Sequence, residues 1–492
     1  MAFPTTTLSG FARRAWPLAF AALLCAAGCA VGPDYRKPAT AVPAAFKESA
    51  GWKAATPADT AARAPWWEIY TDPLLNELES QVALSNQGVL QAAANYEEAR
   101  QLARSDRTAF LPEVSASGSA NRSRSAGSGT IGNVYQGALQ ASWEPDIWGR
   151  IRRTTQADVA TAQADSAELA AVELSVQSAL AQDYIQLRVV DARKRLLSDA
   201  VVAYRRTLTI STNRYNAGVA AKSDVISAKT QLDDARAQLV EADVARAQLE
   251  HAIAVLLGKL PADFAIDARP TPIPPAPDVP AVIPSDLLER RPDIAQAERS
   301  MAVSNARVGI QTSAYFPAIS LSGSDGYQGA PLHSLFSAPF RFWSLGGDIS
   351  DALLDWGQRH DQVLAAKAAY QAEVANYRQT VLSAFQQVED NLSTLRILSD
   401  EETIQRAAVD EAAEAARIAL NEYNAGTVDY TTVATAQVTE LNNRETLLGI
   451  QQTRLTSSVA LVAALGGGWS TSSLPSPSDV MARTRRPPAD KP

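Results

Sequence analysis

The chain has 492 residues, 46% hydrophobic and 20% charged, which is apolar enough for a large core and excludes a disordered chain. A formal charge of -8, from 45 basic and 53 acidic residues, argues against general nucleic-acid binding, which needs a clustered basic surface. Three scattered histidines (His251, His333, His360) and two cysteines exclude a zinc or Cys/His enzyme.

At the N-terminus, Arg13 and Arg14 precede an apolar run from Ala15 to Leu24 and then small residues up to Cys29. This pattern predicts a secretory signal over 1–28, because the apolar run is too short for a stable anchor. The small residues before Cys29 resemble a bacterial lipobox, with Ala26 where leucine is usual. The resemblance implies that Cys29 is acylated, palmitate included, and begins a lipidated segment over 29–73; the alternative is ordinary cleavage that leaves a free thiol. Buried acyl chains contribute about 0.8 kcal/mol per CH₂ to membrane attachment. Ala30 follows, with no Asp retention signal, which favours the outer membrane by resemblance to lipoprotein sorting. No later run of 18 apolar residues exists, so any membrane crossing must use strands.

Residues 74–260 and 285–469 read as two copies of one unit. RYNAG at 214–218 recurs as EYNAG at 422–426, Trp148-Gly149 as Trp356-Gly357, and Leu257-Gly258 as Leu465-Gly466, each at an offset of 208. LPEVSASGS at 111–119 matches FPAISLSGS at 316–324 at an offset of 205. Within each copy the order is helix, strand, strand, long helix, helix. The first helices are expected over Leu74 to Ala109 and Ser285 to Ala314. Tyr135, Gly137, Leu139, Ala141 and Trp143 alternate with more polar residues, the period of a half-buried strand. Val114 to Asn121, Ile319 to Ser324 and Arg341 to Ile349 are weaker versions of it.

Arg150 to Ala217 and Gln358 to Ala425 contain neither Pro nor Gly and carry apolar residues at steps of three and four. Each predicts a helix of 68 residues, about 100 Å long. Gly218 and Gly426 end these helices. Return helices follow from Val219 to Leu257 and from Thr427 onward, the second expected to break at Gly449. The eight prolines of 261–284 predict an extended linker. The Pro-rich residues 470–492 predict a disordered C-terminal tail.

Strands of about ten residues suit an outer-membrane barrel, yet four cannot close one, and open edges are forbidden in lipid. Closure demands several chains; three would supply twelve strands. Gly466-Gly467-Gly468 is not a phosphate loop, since no Lys-Ser/Thr follows. Only Met1, Met301 and Met481 are methionines, which leaves no thioether ladder for copper.

CAVGPDY at 29–35, Trp66-Trp67 through Asp72-Pro73-Leu74, PSDLLERRPD at 284–293, both YNAG turns and ALGGGW at 464–469 resemble the outer-membrane efflux (TolC-like) family, in its NodT-type lipoprotein branch. The resemblance covers nearly the whole mature chain. It implies a mainly α fold with a small β part: a homotrimer whose 12-stranded transmembrane β-barrel, four strands per chain, continues into a long periplasmic α-helical barrel. It further implies the exit duct of a tripartite pump, exporting small molecules such as drugs through a periplasmic membrane-fusion adaptor and an inner-membrane RND-type transporter. No enzymatic activity, cofactor or metal is expected.

Carried onto this chain, the family pattern places Tyr215, Gly218, Val219, Tyr423, Gly426 and Thr427 at the periplasmic tips, where an adaptor docks. The acidic ring of several members is replaced here by Thr431 to Thr435, leaving Asp429, Thr432 and Thr435 as candidates for lining the gate. Tyr135, Leu139 and Trp143 are expected to face outer-membrane lipid. Two other readings remain: the channel of a type I protein secretion system, and a periplasmic coiled-coil adaptor lipoprotein without a pore. Paired alternating strands in step with the repeat argue against the second.

Overall fold

A computed structural model describes residues 30–39, 43, 45–49, 65–124, 131–269, 273–277, 287–330 and 332–482. The signal region, Cys29 and the Ser/Gly-rich loop tip lie outside the described residues. Each copy runs in the expected order. The first has α1 (Pro73–Ser85), α2 (Gln87–Arg107), β1 (Glu113–Arg124), β2 (Ile131–Trp143), α3 (Arg150–Asn216) and α4 (Lys222–Leu256). The second has α5 (Leu287–Arg290), α6 (Pro292–Ser313), β3 (Ala318–Gly329), β4 (Arg341–Ser350), α7 (Gln358–Ala425) and α8 (Tyr430–Ala464). A short α9 (Pro477–Met481) follows.

The four strands form one antiparallel sheet in the order β1-β2-β3-β4. In the first hairpin Glu113 faces Ser142; in the second Ala318 faces Ser350. The second pairing is the first displaced by 205 residues in one strand and 208 in the other. Those are the two offsets of the sequence repeat, so the copies share backbone register as well as motifs. The long helices α3 and α7 span 67 and 68 residues, about 100 Å each. Among the described residues, no helix is long and apolar enough to cross a membrane.

The expected single helix before each strand pair is broken, at Asn86 in copy one and at Arg291 in copy two. Each break is a splice. The Asn86 Oδ1 accepts from Gly88 N (2.9 Å) and Val89 N (3.1 Å), capping α2, while its Nδ2 donates to the Leu256 carbonyl at the end of α4 (2.7 Å). Arg291, 205 residues later, is the N-cap position of α6 and donates to the Ala464 carbonyl at the end of α8 (2.9 Å). The Asn86 side chain thus satisfies orphan groups of two helix ends, whereas Arg291 serves only the carbonyl end of α8 and makes no side-chain bond to the start of α6. Asn86→Ala is expected to cost roughly 1–2 kcal/mol, the usual worth of an N-cap, visible as a lower midpoint in thermal unfolding followed by helical circular dichroism.

Where the splices meet the long helices, the main core gathers around Leu75, Val82, Leu180, Leu187, Ile253 and Val459. Trp66 is buried there and its Nε1 donates to Gln177 Oε1 (3.3 Å). Asp72 caps α1 through Leu74 N (3.0 Å) and also accepts from Tyr184 Oη (2.7 Å) and Arg188 (2.8 Å). This hub ties the start of α1 to the middle of α3.

Two further expectations fail. Gly449 does not interrupt α8, which continues to Ala464. A glycine costs about 1 kcal/mol inside a helix, and the packing of α8 along α7 and α3 outweighs it. Nor is the tail disordered up to residue 482. Pro477 opens α9 behind a Ser476–Asp479 capping box, and Val480 is fully buried beside Ala99, Ala103 and Val159. Proline at the first helical position promotes the turn instead of preventing it. Within the Pro-rich linker, Ile266 is buried and its N–H donates to Glu250 (2.5 Å).

Candidate functional site: a two-faced sheet, a pinned tip and a held N-terminus

Residues opposite one another in the sheet share a face. One face therefore carries Val114 and Ala116, then Tyr135, Leu139 and Trp143, then Ile319, Leu321 and Tyr327, then Trp343, Leu345 and Ile349. The other carries Ser115, Ser117 and Ser119, then Gln136 and Gln140, then Ser320, Ser322 and Ser324, then Ser344. Most of the apolar face is bare: Leu139 is 58% exposed, Trp343 74% and Leu345 83%. The three residues expected to face lipid all lie on it, with the Trp143 Nε1 donating to the Phe110 carbonyl (3.1 Å). A sheet with an apolar outer band and a serine-lined inner face is the wall of a wet passage through lipid.

At the opposite end of the long helices the YNAG motifs make two matching turns. Gly218 N donates to the Tyr215 carbonyl and Val219 N to the Arg214 carbonyl (both 2.9 Å); Gly426 N and Thr427 N repeat this on Tyr423 and Glu422 (both 3.0 Å). Gly218 and Gly426 adopt φ +76° and +82°, which residues with a side chain rarely do. Tyr215, Gly218, Val219, Gly426 and Thr427 are exposed at the turns. Tyr423 is not. It is 2% exposed, donates to Ser211 (3.3 Å) and meets Tyr430 edge to face, so it braces one hairpin on the other and offers no docking surface.

Sequence reasoning missed Arg214. Its guanidinium lies over the Tyr423 ring (4.6 Å to the centroid) and donates to the carbonyls of Tyr423 (2.6 Å) and Asn424 (3.1 Å). Those carbonyls belong to the last turn of α7, the negative end of its dipole. The available signal was the one mismatch between RYNAG and EYNAG, Arg214 against Glu422. Below the pin, Tyr430 donates to Gln231 (2.7 Å) and Gln437 to Thr207 (3.2 Å), both joining the two hairpins.

Of the gate candidates, Asp429 is the N-cap of α8, accepting from Thr432 N (3.1 Å) and Thr432 Oγ1 (3.0 Å). Thr432 and Thr435 are exposed and line a shallow groove with Thr431, Thr439 and Ala412. No second carboxylate joins Asp429 in that groove.

Residues 30–35 are held against the sheet end of the helices. Val31 N donates to the Trp148 carbonyl (3.1 Å), and the buried Arg153 donates to the carbonyls of Val31 and Gly32 and to Asp34 (3.3, 3.3 and 3.0 Å). Ala30 lies so close to Gly149 that a side chain there would collide with it, at 2.7 Å. Tyr35 closes the segment by donating to Glu298.

The family model described as outer membrane efflux protein matches residues 78–259 and 283–467, one stretch for each copy. The chain belongs to this family. It is 30% identical over 455 residues to the probable efflux pump outer membrane protein TtgC of Pseudomonas putida, covering 90% of this chain and 93% of that protein. It is 27% identical to the cation efflux system protein CusC of Escherichia coli, covering 92% and 98%. Among solved structures, the outer-membrane channel OprN superposes with a TM-score of 0.84 at 30% identity, covering 90% of this chain and all of that one. This outer membrane efflux protein is thus a mainly helical channel protein with a small sheet, built from two repeats, which spans the outer membrane and extends into the periplasm.

Proposed function

We propose that three copies close a twelve-stranded barrel, continuous with a helical barrel, and form the exit duct through which a tripartite pump expels small organic molecules. The observation that carries this reading is the sheet: four strands with a bare apolar face, a serine-rich face and two unpaired edges. Open edges are not tolerated in hydrocarbon, so the wall must be completed by further copies. The chain acts as a conduit without turnover, and a periplasmic membrane-fusion adaptor and an inner-membrane RND-type transporter supply selection and energy. The exposed turns at Tyr215, Gly218, Val219, Gly426 and Thr427 are the adaptor's landing points. Thr432 and Thr435 line the narrow end, which a threonine ring would leave with little charge selection. Met301 is buried in the core and Met481 packs with the tail, so neither methionine is placed to pass soft metal ions along the duct.

Cys29 carries the lipid. The anchoring of residues 30–35 at the sheet end of α3 supports this, since it starts the mature chain where acyl chains enter the inner leaflet of the outer membrane. Reconstitution tests both points. The purified chain is expected to be trimeric and to conduct ions across planar bilayers. Cys29→Ser is expected to lose the lipid mass in intact-mass measurement while still conducting. A monomer that inserts without conductance overturns the duct.

A further inference from the structure

Just beneath the sheet, the held N-terminus, the end of α2, α3, α6 and the tail at α9 enclose a cavity of about 490 Å³. Its floor is apolar. Val159 and Ala160 of α3 meet Ala302 and Ala306 of α6, all buried, and the small alanine side chains leave the space open. Phe110 and Met481 add half-buried apolar walls. The cavity also lies at a defined depth. α3 starts at Arg150 and lines the cavity from Arg153 to Gln163, about 5–20 Å along the helix from that start. Phe110 stands three residues before Glu113, the first of β1, and its carbonyl takes the Trp143 indole of the lipid-facing band (3.1 Å). The upper end of the cavity therefore meets the headgroup layer, which is about 5–8 Å thick on each side of the hydrocarbon.

Three arginines line this cavity against one carboxylate, Asp34. Two of them are already neutralised. Arg153 pairs with Asp34 (3.0 Å), and Arg299 pairs with Glu298, its neighbour in sequence. Arg107 is different: among the described residues it has neither an ion-pair partner nor a side-chain hydrogen bond. It continues a stripe on α2 with Arg100 and Arg104, at the spacings of four and three that share a helix face. Those two are occupied, since both donate to the Ala482 carbonyl of the tail (3.4 and 2.9 Å). The chain's own C-terminus is a poor match in charge, because Arg483, Arg485 and Arg486 follow Ala482 with one acid, Asp490. An unpaired guanidinium above an apolar floor is complementary to an anion with an apolar body, and guanidinium grips phosphate through two parallel N–H groups.

We propose that this cavity holds the headgroup of an anionic phospholipid, one per chain, taken from the periplasmic leaflet around the sheet. The phosphate diester accepts from two N–H groups of Arg107, and the glycerol and first acyl carbons lie on the floor of Ala302, Ala306 and Val159. A zwitterionic headgroup brings its own cation beside Arg107 and loses most of the attraction. A free phosphate ion would reach Arg107 but leave the apolar floor uncovered. The bound lipid touches the N-terminal segment, α2, α3, α6 and the tail together, so it ties these segments to the membrane at one height. The site is built by a single chain and needs only that the sheet spans the outer membrane.

The test is native mass spectrometry of the full chain in detergent, titrated with dihexanoyl phosphatidylglycerol or dihexanoyl phosphatidylcholine. Phosphatidylglycerol is expected to add once per chain and to bind about tenfold more tightly than phosphatidylcholine, the factor that one charge-assisted pair confers. Arg107→Gln is expected to erase that preference. Arg107→Lys should keep part of it, since a point charge does not grip two oxygens at once. Ala302→Leu, which fills the floor, should weaken both lipids alike. Arg107 is exposed, so its variants should keep the thermal midpoint, and they decide the matter even if Ala302→Leu fails to fold. An Arg107→Gln chain that retains the preference overturns the site. Inorganic phosphate that displaces phosphatidylglycerol at equal concentration overturns the lipid as its ligand. Phosphatidylglycerol binding confined to Cys29→Ser would mean that the chain's own acyl groups occupy the cavity, and overturns the proposal too.

Discussion

Arg214→Ala is expected to raise the basal conductance of the reconstituted channel severalfold while the trimer still assembles. Arg214 is the cation that ties the two hairpins at the tip, through two carbonyls at the end of α7 and the face of Tyr423. Hydrogen bonds from a charged donor contribute about 1.5–3 kcal/mol each, and a cation over an aromatic face adds about 0.5–2 kcal/mol. Copy two offers no equivalent, because Glu422 stands at the matching position and a carboxylate cannot donate to carbonyls. The pin therefore occurs once per chain, and its loss frees one hairpin to swing from the other. Tyr423–Ser211 and Tyr430–Gln231 still hold the shafts, so the thermal midpoint is expected to move little. Arg214→Lys should fall between, since an ammonium cannot reach both carbonyls and cover the ring. A correctly assembled Arg214→Ala channel with unchanged conductance would sink the idea that this contact keeps the tip shut.

Much of the architecture was legible because the signals were local or repeated. The Pro/Gly-free runs marked α3 and α7 to within a residue at each end, since only those residues interrupt a helix cheaply. Period-two alternation located all four strands, though they proved longer than the alternating core of each. What stayed hidden depends on partners distant in sequence. Asn86 breaks a helix because Leu256, 170 residues away, needs a donor. Arg291 does the same for Ala464, and there Pro292 was a visible hint of a new start. The tail looked disordered from its prolines, yet a small apolar hollow beside Ala103 receives Val480. Trp148 and Trp356 share the Trp-Gly motif, yet the first is half-buried and the second 89% exposed, and sequence cannot tell which twin meets its mate within the chain.

Glu79→Met is expected to raise thermal stability, by an amount that grows with pH. Glu79 lies on the buried face of α1 with Leu75, Leu78 and Val82; it is 1% exposed, and neither carboxylate oxygen has a hydrogen-bond partner. Burial alone pushes its carboxyl up to about 9 from an ordinary 4.5. Folding therefore holds a proton on this group throughout the interval between those values, while the unfolded chain releases it. Stability is then greatest below the unfolded value and falls as pH rises towards the folded one, by about 1.4 kcal/mol per unit. At pH 7 the accumulated cost is about 3 kcal/mol by the same relation. Methionine matches the unbranched shape of glutamate and brings no charge to desolvate. The two proteins should melt at similar temperatures near pH 4.5 and diverge steadily up to pH 8. Because every other titrating group is common to both, the difference between the two curves isolates Glu79. Parallel curves would mean that this carboxyl has found a partner or water in the assembled channel.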